Sequence, residues 1–235
     1  ISGEIDLTPH AERAILAVTD KPFLEAIFIL CTIGSWPNKQ SLRKMVDRIA
    51  AEHPFLSLIA TNIIDERGRV VGRRDSMLFG SPEEIEAAKI AEMHQWARYE
   101  QDALAIVINA TRLQLLRDHT SDLEKFIELA SDNPLIPPDR IIVYARGFQA
   151  GFEGNFLESV HLLVPQVENS IRYLLNRRGI ITSTISSEGI QEEWDLNTLL
   201  ELPQLIDIFG EDLVFDLQGT LTSRFGSNFR NLLSH

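Results

Sequence analysis

The sequence predicts a mostly α-helical protein that also carries two short β-hairpins. Apolar residues recur at helical spacing along most of the 235-residue chain. Proline and helix-capping residues stand at the starts of these segments, as is typical of helix N-termini. Two stretches lack this period and place apolar runs on either side of a glycine-containing turn, which indicates a hairpin. With 44% hydrophobic residues, the chain can bury a core in one large domain or in two small ones.

Five helices are predicted in the first 130 residues. Proline near the first position opens helices at 8–19 and 22–31, and an amphipathic pattern predicts a third at 41–52. A serine cap followed by proline and two glutamates opens a long helix at 81–117. A shorter helix follows at 121–130.

The first hairpin is predicted near residues 56–73, where apolar runs flank the turn Asp65-Glu66-Arg67-Gly68. Further along, the segment 132–138 holds three prolines and favours a domain boundary. We therefore predict a helical N-terminal domain at 1–133 and a second helical domain at 139–235.

The second domain begins with two predicted helices, at 139–151 and 155–178. A second hairpin at 180–194 surrounds the turn sequence Ser-Ser-Glu-Gly. Short helices are predicted at 195–202 and 211–222, before a terminal helix that begins after Asn228. Asn228 is the predicted N-cap of this last helix. The helical period places three apolar residues on one face, which we expect to point into the core: Phe229, Leu232 and Leu233.

Charge and composition limit the classes of function. The formal net charge of −12 argues against a broad nucleic-acid-binding surface but leaves room for a small basic site. After Lys125 there is no lysine, and the arginines that remain suit fork-like contacts with phosphate. A single cysteine, Cys31, excludes an internal disulfide and favours a reducing compartment, so we expect a cytoplasmic location.

Several kinds of segment and motif are missing from the sequence. The longest apolar run, at 23–33, is too short to span a bilayer, and we expect no membrane segment. The motifs of zinc sites, nucleotide-binding folds and serine hydrolases do not occur, so we expect neither a metal nor a cofactor. Because the chain opens at Ile1 and stops at His235, we expect it to be a piece of a longer protein.

The last six residues contain the candidate catalytic residues Arg230, Asn231 and His235. Asn231 and His235 are four residues apart and are therefore neighbours on a helix surface, and Arg230 has the reach to join them. Free N–H groups at a helix N-terminus attract anions. A histidine with the ordinary pKa near 6.5 can exchange protons at neutral pH. These residue types in this spacing predict chemistry on phosphate.

A second polar stripe lies on the predicted helix at 155–178. Glu168 and Arg172 are four residues apart with the glutamate first, which is the favourable order for an ion pair, and His161 lies on the same row. In one interpretation these three side chains join the terminal residues in a shared polar pocket. In the other they form a solvated helix face, whose ion pair contributes at most about 1 kcal/mol. The sequence leaves both interpretations open.

The ending Arg230-Asn231-Leu-Leu-Ser-His235 resembles a known family, the domain of unknown function numbered 4209, which is defined by an RNxxxH motif. It is also similar to the signature of the HEPN superfamily (higher eukaryote and prokaryote nucleotide-binding proteins), an arginine followed four to six residues later by a histidine. Residues 163–172 resemble the helix that precedes the motif in that family. The resemblance covers about residues 148–235 and extends more weakly to 64–70.

The resemblance implies a HEPN-like helical bundle with a short hairpin. In active members it implies metal-independent cleavage of RNA, often by dimers in which two motifs face one site. His235 would then assist the attack of the ribose 2′-OH on the adjacent phosphate, or protonate the leaving oxygen, and the product would carry a 2′,3′-cyclic phosphate. Arg230 would stabilise charge on the phosphoryl oxygens, and Asn231 would hold the histidine or the phosphate. RNA and a second copy of the chain are the expected partners.

Two other functions agree with the same residues. The chain could be a non-catalytic module that binds RNA or protein and keeps the motif for structure, with Arg230 paired to a carboxylate such as Glu168. It could also be a nucleotide-modification target or an antitoxin-like partner, both of which are known among HEPN proteins. RNA cleavage that resists EDTA and is lost on His235→Ala would separate the nuclease from these alternatives.

Overall fold

The computed structural model describes residues 6–64 and 67–233, and it is mostly helical with two small antiparallel sheets, as the sequence predicts. In chain order the helices are α1 (Thr8–Val18), α2 (Phe23–Cys31), α3 (Lys39–Glu52), α4 (Pro54–Leu58), α5 (Pro82–Asp118), α6 (Leu123–Ser131), α7 (Ile141–Glu153), α8 (Phe156–Arg177), α9 (Leu196–Leu200), α10 (Pro203–Phe209), α11 (Glu211–Leu217) and α12 (Phe229–Leu232). The strands are β1 (Thr61–Ile64), β2 (Val70–Arg74), β3 (Ser183–Ile185) and β4 (Gln191–Glu193). A 3-10 turn (Pro138–Arg140) precedes α7, and a π-helical turn (Gln218–Thr222) follows α11.

The chain forms two compact units, each made of two separate segments. The first unit contains Ile1–Ser35 and Ala103–Leu199, and the second contains Trp36–Asp102 and Leu200–His235. This division differs from the boundary that the sequence predicts at 132–138, a segment that lies inside the first unit. The difference has a physical cause, because α6 and α7 pack against each other on either side of that segment.

The residues that mark helix starts in the sequence form the capping hydrogen bonds expected of them. The amide of Ser81 donates to Glu84 Oε2 at 2.8 Å, and the amide of Glu84 donates to Ser81 Oγ at 3.2 Å. This reciprocal capping box satisfies two N–H groups at the start of α5. Asn155 Oδ1 likewise accepts from the amide of Glu158 at the start of α8, which continues through Pro165.

One local prediction was wrong, and two local features were not predicted. The apolar run at 56–64 was expected to be a strand, but Pro54 starts the short helix α4 and β1 begins only at Thr61. An apolar run of this length does not distinguish a strand from a helix, and proline at the first position favours the helix. The short helix α10 was not expected, nor was the π-helical turn after α11.

The core of the first unit is built around aromatic rings from α2, α6 and α7. The ring of Phe23 meets those of Phe126 and Phe152 edge-on, with centroids 5.4 and 5.8 Å apart. Ile171 and Leu175 of α8 are buried, as the predicted apolar stripe requires. The hairpin of β3 and β4 follows α8 in this unit.

The core of the second unit joins α3, the first half of α5 and α11. Buried side chains from these helices include Leu42, Val46, Met93 and Phe215. The carboxylate of Asp212 in α11 accepts from the backbone amide of Lys39 at 2.8 Å and from Asn38 Nδ2 at 2.9 Å, which ties α11 to the start of α3. This unit also holds the hairpin of β1 and β2 and the chain that leads to the RNxxxH motif.

Candidate active site

The described part of the motif lies on α12 and on the loop before it, residues 223–233, which we call the motif segment. Two glycines position it. A Cβ atom on Gly226 would lie 1.9 Å from the carbonyl oxygen of Gly219 in the π-helical turn, so no larger residue fits without a backbone shift. The amide of Ser227 donates to that same oxygen at 3.0 Å. The motif segment is therefore held directly against the π-helical turn.

Asn228 starts α12, but not through the cap that the sequence predicts. Its φ of 51° lies in the left-handed region, which asparagine adopts more readily than most residues. Its backbone oxygen accepts from the amides of Asn231 and Leu232. Its side chain makes no capping bond to the backbone, and Oδ1 instead accepts from Asn231 Nδ2 at 2.6 Å. This bond fixes the amide of the motif asparagine.

The predicted inward face of α12 is wrong for two of its three residues. Phe229 and Leu232 are 39% and 65% exposed, whereas Leu233 is half-buried. The physical reason is the length of the helix, because four residues that pack on the π-helical turn can bury only one side. Arg230 and Asn231 are half-buried as well. His235 lies outside the described residues.

Glu168 and Arg172 form the predicted ion pair, and it does more than join two side chains on one helix face. Arg172 Nη2 donates to Glu168 Oε1 at 2.9 Å and to the backbone oxygen of Trp194 at 2.8 Å. Its Nε lies 3.2 Å from Glu193 Oε2, without hydrogen-bond geometry. The pair is largely buried, so the solvated-face interpretation does not describe it. Arg172 connects α8 to the end of β4.

His161 is exposed, with Nδ1 2.7 Å from the backbone oxygen of Leu157. A carbonyl only accepts, so the Nδ1 proton is present in this contact. His161, Glu168 and Arg172 belong to the first unit, and Arg230 and Asn231 belong to the second. The shared polar pocket of these residues therefore stays a prediction.

The predicted hairpin of β1 and β2 is present, and it is rich in arginine, which the sequence prediction did not consider; we call it the arginine hairpin. This hairpin contains four arginines in a stretch of eight residues, at positions 67, 69, 73 and 74. Arg74 is buried and its Nε lies 3.1 Å from Glu92 Oε2, whereas the other three are exposed. The density of arginines in the sequence was the available signal, but the prediction used this segment only for the turn of the hairpin.

The arginine hairpin lies next to the motif segment. Gly72 in β2 is buried, and a Cβ atom built on it would lie 3.7 Å from the Cβ atom of Arg224. Arg224 itself is exposed. Arg224 therefore lies near β2 in the second unit, on the face that Gly72 and Arg74 share, whereas Arg73 points to the opposite face of the strand.

Buried polar groups lie behind the π-helical turn. His94 of α5 stacks on Phe215 with ring centroids 4.3 Å apart, and a Cβ atom on Gly219 would lie 2.7 Å from its Nδ1. Burial, together with the charge of Lys39, lowers the pKa of His94 from 6.5 to about 4. Burial raises the pKa of Asp216, whose Oδ1 accepts from Gln101 Nε2 at 2.6 Å. Nothing in the sequence marked these residues.

Comparison of the chain with family models, curated proteins and solved structures found no match. The HEPN resemblance therefore rests on the motif and on the residues around it. In the described ranges, 6–64 and 67–233, no group of three or more His, Cys, Asp or Glu side chains could hold a metal ion. None of the helices in those ranges combines the length and the apolar character that crossing a membrane requires.

Proposed function

We propose that the chain is a metal-independent endoribonuclease of the HEPN type, with Arg230, Asn231 and His235 as its catalytic residues. The observation that carries the proposal is the close approach of Arg224 to Gly72, which brings the motif segment next to the arginine hairpin. An RNA substrate needs positive charge beside the cleaved phosphate, and an acidic chain can supply it only locally.

In this proposal the ribose 2′-oxygen attacks the adjacent phosphorus, and the bond from phosphorus to the 5′-oxygen breaks. A base takes the 2′-OH proton, and an acid returns a proton to the 5′-oxygen, so that a 2′,3′-cyclic phosphate and a 5′-OH form. His235 performs one of these two transfers. Arg230 stabilises the charge on the phosphoryl oxygens. Asn231 donates one N–H to Asn228, and its Oδ1 is an acceptor that can orient an imidazole N–H.

A homodimer belongs to the same proposal. Phe229 and Leu232 are exposed beside Arg230 and Asn231, where a second copy of the chain could cover them. Two motifs would then face one site, as the resemblance implies for many active HEPN proteins.

The test is cleavage of varied single-stranded RNAs by the chain in excess EDTA, with DNA of the same sequence as the negative control. We expect cleavage of RNA alone, and a loss of about a hundredfold or more on His235→Ala or Arg230→Ala. Arg146→Ala is the matched control, because Arg146 is an exposed arginine of the first unit. Thermal unfolding of each variant must match that of the unchanged chain. A chain that folds but cleaves none of the RNAs would contradict the proposal.

One observation favours the second candidate, a non-catalytic interaction module. Asn231 is half-buried and bonded to Asn228, as a residue kept for structure would be. In that case Asn231→Ala lowers the stability of the second unit, and no RNA is cleaved by any form of the chain. The nuclease instead predicts that Asn231→Ala lowers the cleavage rate.

A further inference from the structure

The first unit contains a cavity of about 370 Å³ between α2, α5, α6, α7 and α8. Most of its lining is apolar and comes from leucine, isoleucine and phenylalanine side chains. Two lining residues, Cys31 and Phe156, are exposed, so the cavity opens to solvent. Its size lies near the lower end of the range of about 300–1,000 Å³ found for small-molecule sites.

Arg112, which is only 9% exposed, is one of the residues that line this cavity. All of its described partners are neutral. Nη1 donates to the backbone oxygen of Phe152 at 2.7 Å, and Nε and Nη2 donate to Asn109 Oδ1 at 3.1 and 2.8 Å. The charge also lies over the ring of Phe156, 5.2 Å from its centroid. Within residues 6–64 and 67–233, no carboxylate forms an ion pair with Arg112.

A buried positive charge without a counter-ion is costly, and arginines at such depth are normally paired. The backbone beside Arg112 leaves room for its guanidinium group. Gly154 ends α7 with a φ of 87°, and a Cβ atom there would lie 3.2 Å from Arg112 Nη1. Of the five N–H donors of a guanidinium, the described bonds use three, which leaves one on Nη1 and one on Nη2. A carboxylate is the anion with which a guanidinium pairs most often in proteins.

We propose that this cavity binds an apolar monocarboxylate, such as a fatty acid of medium length. Its carboxylate pairs with Arg112, and its hydrocarbon chain lies against the apolar walls formed by residues such as Leu129 and Leu163. The ligand supplies the missing counter-ion and covers apolar surface that otherwise faces water. This site is in the first unit and is independent of the proposed ribonuclease.

The experiment measures binding of decanoate and 1-decanol to the chain by isothermal titration calorimetry. We expect decanoate to bind at least tenfold more tightly than decanol, because only the carboxylate pairs with Arg112. In the series from hexanoate to decanoate, affinity should rise about fourfold for each CH₂ until the cavity is full. Cys31, the only cysteine, gives a second readout, because bound decanoate should slow its reaction with a maleimide.

Two variants separate the two halves of the site. Arg112→Gln should remove the preference of decanoate over decanol, and Leu129→Trp should fill the apolar part and abolish binding of both ligands. Arg117→Gln, an exposed arginine on the same helix, is the matched control and should leave binding unchanged. Should Arg112→Gln fail to fold, Leu129→Trp and the comparison with decanol still decide the matter. Equal affinity for decanoate and decanol, or no Cys31 protection by decanoate, would overturn the proposal.

Discussion

At the scale of single residues, His94 is the most constrained polar side chain behind the motif. It is 5% exposed, its ring stacks on Phe215, and its Nδ1 has no hydrogen-bond partner among the described residues. Gly219 approaches it so closely that a methyl group would not fit between them. A ring that is fixed and desolvated in this way stays neutral at physiological pH, in agreement with its pKa of about 4.

The lowered pKa of His94 predicts how the free energy of unfolding depends on pH. An unfolded chain takes a proton on His94 near pH 6.5, whereas the folded chain does so only near 4, so the unfolded state binds more protons between these values. Stability from His94 is therefore fully present above pH 6.5 and is lost as the pH falls towards 4. The loss amounts to about 3 kcal/mol. His94→Phe keeps the aromatic stack and removes the titrating group, so it should abolish this part of the pH dependence.

The measurement is urea unfolding between pH 7.5 and 4.5, followed by the fluorescence of Trp36 and Trp96 in the same unit. Burial also raises the pKa of Asp216 in the same unit, so the relevant quantity is the difference between His94→Phe and the unchanged chain. His10 is an exposed histidine and serves as the control: the difference in pH dependence between His94→Phe and the unchanged chain should not appear between His10→Gln and the unchanged chain. A pH dependence that survives in His94→Phe contradicts the prediction.

At the scale of elements, Arg172 attaches the hairpin of β3 and β4 to α8. The hairpin strands have three residues each, and a two-stranded sheet of this size is not stable by itself in water. One guanidinium contacts Glu168 on the helix and both Glu193 and Trp194 at the end of the hairpin. The position of the hairpin therefore depends on a side chain of the helix.

We expect Arg172→Met to lower the free energy of unfolding of the first unit by about 2 kcal/mol, because Glu168 and the Trp194 carbonyl lose a charged partner in a largely buried site. The amides of residues 180–194 should exchange with deuterium faster, which mass spectrometry of peptides can measure. Arg146→Met removes the same kind of side chain from an exposed position and should change neither quantity. Unchanged exchange in the hairpin of Arg172→Met would show that the contact has no such role.

The sequence predicts elements well where a start signal and a period agree. The capping box at Ser81 and the apolar stripe of the helix after Asn155 gave α5 and α8 nearly to the residue. It does not predict elements that distant contacts determine. The π-helical turn depends on Gly219 against His94 and on Gly226 against Gly219, and no local pattern contains those approaches.

In the candidate site, too, the sequence predicts the local structure but not the contacts between distant residues. Spacing correctly predicted that Arg230 and Asn231 lie at the start of a helix that follows Asn228. Spacing could not predict that Phe229 and Leu232 are exposed, because the burial of a one-turn helix depends on what packs on it. Arg224 and Gly72 of the arginine hairpin are close together in the fold but far apart in the chain, so only the fold reveals their proximity.

At the scale of the whole molecule, a net charge of −12 sets the electrostatic conditions for any RNA substrate. Most of the surface repels a phosphate backbone, and only a local group of arginines can attract it. The exposed arginines of the arginine hairpin and motif segment include Arg69, Arg73 and Arg224. If these three residues make the phosphate contacts, RNA binding has a weak but definite dependence on salt.

We expect the logarithm of the RNA association constant to fall with the logarithm of salt concentration with a slope of about −2, since each contact with a single strand contributes about −0.7. Affinity should thus drop on the order of tenfold between 50 and 200 mM salt. Fluorescence anisotropy with a labelled RNA of eight to ten nucleotides, about the span of one small site, measures this slope with His235→Ala in place of the active chain. Arg73→Gln and Arg224→Gln should each reduce its magnitude by about 0.7, and Arg146→Gln should leave it unchanged. A slope that none of the hairpin or motif-segment variants alters would mean that RNA, if bound, lies elsewhere on the molecule.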